Sequence, residues 1–193
     1  MHRYLCLIFC LCFLAPLHTA QAQICNDYIA ASTPDSQLAD NGNGTVTDKK
    51  TGLMWKKCSE GQTGSNCENG SAAQFTWQAA LQQPRMINSG GPGFAGYHDW
   101  RLPNIKELRS IVEEKCFEPA INIVRFPNTP GFQWSLVWSS SPSFKFVYPI
   151  DSDSPFADND SIDSWVVSFY KGASYIDERI YGGYHVRLVR GGQ

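Results

Sequence analysis

The sequence has 193 residues, 42% of them hydrophobic and 18% charged, with a formal net charge of −2 at pH 7. This length and composition suit one globular domain with a sizeable core. The chain has no basic stripe, so nucleic acids and anionic lipid surfaces are excluded as expected partners.

The N-terminal residues predict an exported protein. Met1–Arg3 is a basic start, Tyr4–Ala15 is an uncharged apolar run, and Ala20–Ala22 supplies a small-x-small site. This order is typical of a secretory signal peptide over residues 1–22. A membrane anchor is the alternative, but the run is shorter than the about 20 apolar residues that a span needs. Lipidation at Cys25 is a further alternative, and no small residue directly precedes that cysteine.

Cleavage after Ala22 leaves residues 23–193, which we interpret as a single domain. Loss of Arg3 leaves 15 basic residues against 18 acidic ones, so the net charge is near −3. No later segment is apolar and long enough to span a bilayer. We therefore expect the protein in the periplasm, on the cell surface or in the secreted fraction.

The cysteines predict a disulfide-stabilised domain. Of seven cysteines, four follow the predicted cleavage site: Cys25, Cys58, Cys67 and Cys116. An even number in an exported chain predicts two disulfides, with three possible pairings. We favour Cys58–Cys67, because a polar, glycine-containing loop separates these two, which leaves Cys25–Cys116. A zinc site is the alternative, but the CxxC spacing typical of zinc ligands is missing.

The first predicted elements are two short strands, each preceded by a turn. The Asn-Gly pairs between Asp40 and Thr45 favour a tight turn into a strand that ends at Asp48. A second turn over residues 48–52 leads into a strand over Leu53–Trp55.

Two helices are predicted next. Phe75–Gln83 is expected to be a short helix with Thr76 as its N-cap. Asn104 and Glu107 have the spacing of a capping box, which predicts the start of a second helix. Its apolar face consists of residues 108, 111 and 112, and Lys115 suits its C-terminal end.

The chain beyond Cys116 predicts strands. The candidate strands are Phe132–Ser140, Trp165–Tyr170, Gly172–Ile180 and Tyr184–Arg190. In the last one, Val186 and Leu188 alternate with Arg187 and Val189, which predicts a strand with one buried face. Two helices followed by a run of strands predict an α+β fold.

Six short motifs, in this order, resemble a known family. They are Gly52–Trp55 (GLMW), Phe75–Gln78 (FTWQ), Asp99–Asn104 (DWRLPN) with Glu107–Leu108, Trp138–Ser141 (WSSS), Trp165–Val167 (WVV) and Val186–Gly192 (VRLVRGG). The chain resembles, from Cys25 to Gln193, the bacterial family named after the C-terminal domain of the Legionella collagen-like protein. No Gly-X-Y tract of a collagen-like stalk is present.

The resemblance implies a C-type-lectin-like fold, with two helices packed on a twisted antiparallel sheet. The best-understood member of that family is an adhesin whose domain binds sulfated polysaccharide and trimerises. By analogy we expect a homo-oligomer, a trimer in particular. A net charge near −3 does not favour a sulfated ligand.

Two catalytic alternatives find little support in the sequence. Ser139–Ser141, His98 and His185 could suggest a hydrolase, but the G-x-S-x-G elbow is missing. Formylglycine-generating enzymes share the broader fold and an Arg-Leu-Pro segment, but they use cysteines near its C-terminal part. No cysteine follows Cys116 in this chain. We therefore predict no catalytic residues and no enzymatic activity.

An acidic segment over residues 151–163 has two interpretations. The favoured one is a solvated loop between two strands. The alternative is a calcium site, because carboxylates with intervening Ser and Asn oxygens suit a hard cation. Its ligands would be Asp151, Asp153, Asp158 and Asp160. We expect no other cofactor.

Aromatic residues are the remaining candidates for ligand contact, since aromatic faces can stack on sugar rings. The tryptophans inside element-forming motifs are expected in the core: Trp55, Trp77, Trp100, Trp138 and Trp165. Those expected at the surface are Trp134, Tyr170, Tyr175, Tyr181 and Tyr184. The sequence thus predicts an exported, non-catalytic binding module for a polysaccharide or surface protein. The alternative is a structural domain that mainly oligomerises.

Overall fold

The structure is a computed structural model that describes residues 23–144, 162–179 and 182–191. The predicted signal peptide, the candidate calcium ligands Asp151, Asp153, Asp158 and Asp160, and Tyr181 lie outside the described residues. Within the described ranges, no helix is long and apolar enough to cross a membrane.

The protein has a mixed α+β fold that consists mostly of strands, which confirms the predicted class. Its first elements are β1 (Ile24–Cys25), β2 (Leu38–Asp40), β3 (Thr45–Asp48), β4 (Met54–Lys56), β5 (Gln62–Thr63), β6 (Asn69–Gly70) and α1 (Trp77–Ser89). The later ones are α2 (Ile105–Ser110), β7 (Cys116–Phe117), β8 (Leu136–Phe144), β9 (Ile162–Ser168), β10 (Ala173–Glu178) and β11 (Val189–Arg190).

A three-stranded antiparallel sheet in the order β10-β9-β8 lies between two apolar clusters. Because side chains alternate along a strand, successive residues of β8 face opposite clusters. Val137 and its partner Val167 pack on the side of α2, whereas Trp138 and its partner Val166 pack on the side of α1. The two helices therefore cover opposite faces of this sheet.

A second antiparallel sheet has the order β11-β4-β3-β2. Both predicted turns are present, and Gly44 and Gly52 have φ angles of 82° and 73°, which a glycine adopts without strain. Val46 and Val189 are both partners of Trp55, so the three side chains share one face and join the core on the side of α2. Strand β2 was not predicted.

Helix α1 begins as predicted but is longer than predicted. The Thr76 hydroxyl accepts a hydrogen bond from the Ala79 amide, as expected for the N-cap. The helix continues through Pro84, which is buried, to Ser89. Near its end the Asn88 side chain donates to the Trp100 carbonyl (2.8 Å) and accepts from the Trp100 amide (3.0 Å). This tertiary contact holds the last turn.

Helix α2 has the predicted capping box between Asn104 and Glu107. The prediction that it reaches Lys115 is wrong, because the helix ends at Ser110. Beyond it, Val112 forms a β-bridge with Ile121, and β-branched residues favour such extended geometry.

The motifs that suggested the family form one hydrogen-bonded frame. Asp99 pairs with Arg190 at 2.7 Å, and the backbones of Arg101 and Val189 exchange two hydrogen bonds. Arg101 also donates two hydrogen bonds to the Glu107 carboxylate, each 2.7 Å long. The DWRLPN segment and residues 186–191 are therefore adjacent in space and joined to the start of α2.

Two strand predictions need correction. Phe132–Ser135 is not part of β8, because it forms a turn in which the Ser135 amide donates to the Phe132 carbonyl. In the last segment only Val189–Arg190 is a strand, and residues 186–189 are buried on both faces. Arg187 therefore lies in the interior rather than at the surface.

Both disulfides of the favoured pairing are formed, Cys25–Cys116 and Cys58–Cys67. The first joins β1 to β7, whose residues are paired as Ile24 with Phe117 and Cys25 with Cys116. Gln23 reinforces this corner, because its side-chain amide donates to the carbonyls of Pro119 and Ile121.

Candidate functional site

Aromatic and charged side chains meet where β10 ends beside α1. We name this group the Trp77–Arg179 cluster; its members are Trp77, Ser164, Asp177, Arg179 and Tyr184. All of them are partly exposed except Ser164, which is buried. Asp177 lies opposite Ser164 in the β9–β10 pair, so both side chains are on the face of the sheet that α1 covers.

Arg179 has a fixed position in this cluster. Its Nε donates hydrogen bonds to the Ser164 hydroxyl at 2.7 Å and to the Asp163 carbonyl at 3.1 Å. Its guanidinium carbon lies 3.7 Å from the centre of the Trp77 ring. A guanidinium stacked on an indole face is a favourable cation–π contact. The side chain is therefore held from two directions.

The Trp77 ring is itself anchored. Its Nε1 donates to the Ser139 carbonyl at 3.0 Å, which joins the first turn of α1 to β8. Thr76, the N-cap, precedes it directly. Helix capping thus places the indole beside the end of β10.

A second aromatic–charged pair lies next to the first. The Tyr184 hydroxyl donates to the Asp177 carboxylate at 2.6 Å, and its ring lies 4.7 Å from that of Trp138. Two backbone hydrogen bonds between Phe75 and Tyr184 join this residue to the segment that leads into α1. The two pairs are therefore neighbours on one surface.

Burial and charge shift the titration of two cluster members. Burial lowers the pKa of Arg179, and the nearby Asp163 carboxylate opposes this effect. Burial, together with the hydrogen bond to Asp177, raises the pKa of Tyr184. At neutral pH the cluster therefore presents a guanidinium cation and a neutral phenol that donates its proton.

Two polar atoms at this place lack a partner. Nη2 of Arg179 and Oδ1 of Asp163 are buried and have no hydrogen bond within the described part of the chain. Buried polar groups are nearly always hydrogen-bonded. Nη2 is therefore an exception, a buried guanidinium donor without an acceptor among the described residues. A donor, a carboxylate and aromatic surfaces are the groups by which small polar ligands are recognised.

The serines of the WSSS motif have structural hydrogen bonds. The Ser139 hydroxyl donates to the Trp165 carbonyl at 2.7 Å, and the Ser141 hydroxyl accepts from the Ile105 amide at 2.9 Å. His98 bonds to the Asn88 carbonyl and His185 to the Ala73 carbonyl, both through Nδ1. Burial lowers the pKa of His185.

The predicted surface aromatics differ in exposure. Trp134 is 79% exposed and Tyr175 is 47% exposed, which agrees with the prediction, whereas Tyr170 and Tyr184 are only partly exposed. The core prediction holds for Trp55, Trp100 and Trp138. Trp77 and Trp165 are partly exposed instead, and the ring of Trp77 contacts Arg179.

Metal ligands do not meet in the described ranges, because no group of three or more His, Cys, Asp or Glu side chains there could hold an ion. The calcium hypothesis concerns residues outside those ranges and stays a prediction. Asp163, which ends the acidic segment, is described and is buried.

A model of the Lcl C-terminal domain family matches residues 44–190, which is most of the chain. The chain belongs to this family. The match contains the whole Trp77–Arg179 cluster and one disulfide, Cys58–Cys67. It is shorter than the resemblance suggested, because it does not include residues 25–43 or 191–193. No curated protein matches the chain.

Sequence reasoning missed Asp177 and Arg179 as candidate site residues. The available signal was their spacing, since positions two apart in a strand share a face. Trp77 lies 102 positions before Arg179, so only the fold brings these two residues together, whereas Tyr184 lies seven positions after Asp177.

Proposed function

We propose that residues 23–193 form an exported binding module that recognises an extracellular ligand, with a glycan as the ligand class. The observation that carries this proposal is Arg179, a partly exposed cation whose guanidinium is stacked on the Trp77 ring. The exposed part of the Arg179 guanidinium supplies a cationic donor for a sugar hydroxyl or carboxylate, and the rings of Trp77 and Tyr184 supply apolar contact.

The disulfides support export. Two disulfides in a chain of this size are expected of proteins in oxidising compartments. The amino-terminal signal-like sequence and the membership of the Lcl C-terminal domain family agree with this location. We also propose a C-type-lectin-like fold, which the mixed α+β architecture with two helices and two disulfides supports.

The test uses a glycan array followed by titration of the best ligand. We expect saturable binding by the unmodified protein and at least about tenfold weaker binding by Arg179→Lys, because a lysine keeps the charge but loses the planar fork. Arg85→Lys, on the exposed surface of α1, is the matched control and should bind like the unmodified protein.

Melting temperatures of all three proteins show whether the substitutions leave the fold intact. Binding that Arg179→Lys leaves unchanged would place the ligand elsewhere. An array without any saturable signal would contradict the glycan proposal as a whole.

Assembly is the second candidate function, and the open edge of β10 favours it. Tyr175 and Ile176 lie at the middle of this strand and are about half exposed. A homo-oligomer built through this edge is compatible with ligand binding at the Trp77–Arg179 cluster.

A further inference from the structure

The Trp77–Arg179 cluster contains an anion beside its cation. Asp177 lies at the end of β10, opposite Ser164 in the β9–β10 pair, and Arg179 follows the strand two positions later. Arg179 donates to the hydroxyl of the same Ser164 at 2.7 Å, so both charged side chains are on one face of the sheet. Both are also partly exposed. A ligand at this surface therefore encounters a guanidinium and a carboxylate together.

The Asp177 carboxylate can accept further hydrogen bonds. Its Oδ2 accepts from the Tyr184 hydroxyl at 2.6 Å, and its Oδ1 accepts from the Glu178 amide at 2.7 Å. A carboxylate has about four acceptor positions, so about two remain for donors of a ligand. An ionised carboxylate has no proton to donate, so it offers a ligand carboxylate or sulfate no hydrogen bond.

A second carboxylate acts on the Arg179 guanidinium. Asp163 is buried, and its negative charge opposes the effect of burial on the pKa of Arg179. Asp163 and Asp177 together place two negative charges around one positive charge. Charges interact more strongly where water is partly excluded than in bulk water. A ligand anion at Arg179 is therefore repelled by these carboxylates as well as attracted by the guanidinium.

The described elements that form the cluster carry few other cations. Arg85 lies in α1, eight positions after Trp77 and thus about 12 Å along the helix axis. Lys171 precedes β10, at the other end of that strand. Arg187 is buried and donates to the Lys57 carbonyl. The N-terminus of α1 adds a partial positive charge of only about half a unit. These charges do not offset both carboxylates.

We propose that the Trp77–Arg179 cluster selects uncharged glycans and that Asp177 determines this specificity. Arg179 donates to one sugar hydroxyl, and Asp177 accepts from a neighbouring one. A hydroxyl satisfies both partners because it donates and accepts, whereas a sulfate or a uronic-acid carboxylate only accepts. This specificity rests on the proposed binding function and names the ligand class of the same site.

Asp177→Asn tests the role of the carboxylate, because it removes the charge with little change in size. The variant should keep its fold, since the new amide can accept from the Glu178 amide and donate to the Tyr184 oxygen. Glu178→Gln is the matched control. It removes the same charge one position further along β10, where the side chain is on the opposite face of the strand.

The measurement uses an array on which each neutral oligosaccharide stands beside two anionic forms. In one form a carboxylate replaces a hydroxymethyl group, and in the other a sulfate replaces a hydroxyl hydrogen. The unmodified protein should bind the neutral member of a set at least about tenfold more tightly than its anionic forms. Asp177→Asn should remove most of this preference, and Glu178→Gln should retain it.

Salt dependence gives a second measurement that needs no variant. Raising the NaCl concentration from about 50 to about 500 mM should change the affinity for the best neutral glycan by less than about twofold, because the ligand carries no charge to be screened. An affinity that falls steeply with salt would contradict the proposal, since it indicates recognition of an anion.

Tighter binding of the carboxylated or sulfated forms by the unmodified protein would overturn the proposal, while glycan recognition at Arg179 would stand. A preference that a folded Asp177→Asn retains, or that Glu178→Gln reduces equally, would also overturn it. An array without any saturable signal contradicts the binding function and this specificity together. The ranking of neutral and anionic forms by the unmodified protein decides the matter even if a variant does not fold.

Discussion

Glu113 shows how a single buried carboxylate holds the N-terminal segment. Its two oxygens accept hydrogen bonds from the amides of Ser32, Thr33 and Lys115 at 2.9–3.0 Å, and from the hydroxyls of Ser32 and Thr33. Burial by itself raises the pKa of Glu113, but these hydrogen bonds outweigh it, so the pKa is lowered. The ionised carboxylate is therefore the form that the fold requires.

We expect Glu113→Gln to lower the free energy of unfolding by about 2 kcal/mol at pH 7, because an amide nitrogen then faces backbone donors. A carboxyl with a lowered folded pKa contributes its stability in full above its unfolded pKa of about 4.3. That contribution is lost as pH falls through the folded pKa. The difference between the two proteins should therefore shrink from pH 7 to pH 3.

Urea unfolding at several pH values measures this difference. Glu114→Gln is the matched control, because the neighbouring Glu114 is exposed, and it should unfold like the unmodified protein. A difference at Glu113 that is independent of pH would show that the carboxylate charge is not what stabilises the segment.

Arg187 is the residue whose environment the sequence predicted least well. Alternation in its segment predicted that it faces solvent, yet it is buried and donates to the carbonyls of Lys56 and Lys57 and to the hydroxyls of Ser59 and Thr129. Burial lowers its pKa to about 9. The acceptors come from distant segments, so no local pattern could have indicated this position.

At the scale of elements, the starts of the two helices were predicted better than their ends. Thr76 and the Asn104–Glu107 capping box are local features, and both helices begin where these residues predict. Helix ends depend on tertiary contacts instead: Asn88 extends α1 by bonding to Trp100, and the bridge from Val112 ends the helical region after α2. Strand β2 was missed because its three residues carry no periodic signal.

The two disulfides should differ in their contribution to stability. Replacing both cysteines of the Cys25–Cys116 pair with alanine should lower the free energy of unfolding by about 4.5 kcal/mol. The same change at the Cys58–Cys67 pair should lower it by about 2.5 kcal/mol, since the entropy gained by the unfolded chain grows with loop length. The loops span 91 and 9 positions, respectively.

Urea unfolding of the two double variants under non-reducing conditions checks this order. A larger loss from the short loop would mean that native contacts of residues 58–67, rather than chain entropy, determine the effect. Equal losses would also contradict the expected dependence on loop length.

For the whole molecule, the folded body extends beyond the family match. Residues 44–190 match the family, but Leu38 in β2 is fully buried in the core, and Cys25 is bonded to Cys116 inside the matched region. The N-terminal residues 23–43 are therefore part of the same folded unit.

We expect a chain that begins at residue 44 to be largely unfolded. It lacks the Cys25–Cys116 disulfide, worth about 4.5 kcal/mol, and the burial of Leu38, worth about 2 kcal/mol. Their sum is similar to the whole stability of many domains, about 5–15 kcal/mol. Thermal unfolding of the chains 23–193 and 44–193, followed by circular dichroism, compares their stabilities. Equal melting temperatures would show that residues 23–43 are dispensable for the fold.

The α+β class and a favoured disulfide pairing were accessible from the sequence, because patterning and the short Cys58–Cys67 loop are local and Cys25–Cys116 is then the remaining pair. The Trp77–Arg179 cluster was not, because it combines the start of α1, the end of β10 and the segment around Tyr184. Only the packing of α1 on the central sheet places these residues side by side.

The Cys25–Cys116 bond also has a mechanical consequence. A pulling force applied at residue 23 enters the body at Cys25 and crosses directly to Cys116, so residues 26–115 bear no tension while the bond is intact. These residues correspond to roughly 300 Å of fully extended chain, which cannot be pulled out while the bond is intact. A pulling force at this end therefore cannot extend residues 26–115, which include α1, until a reductant opens the bridge.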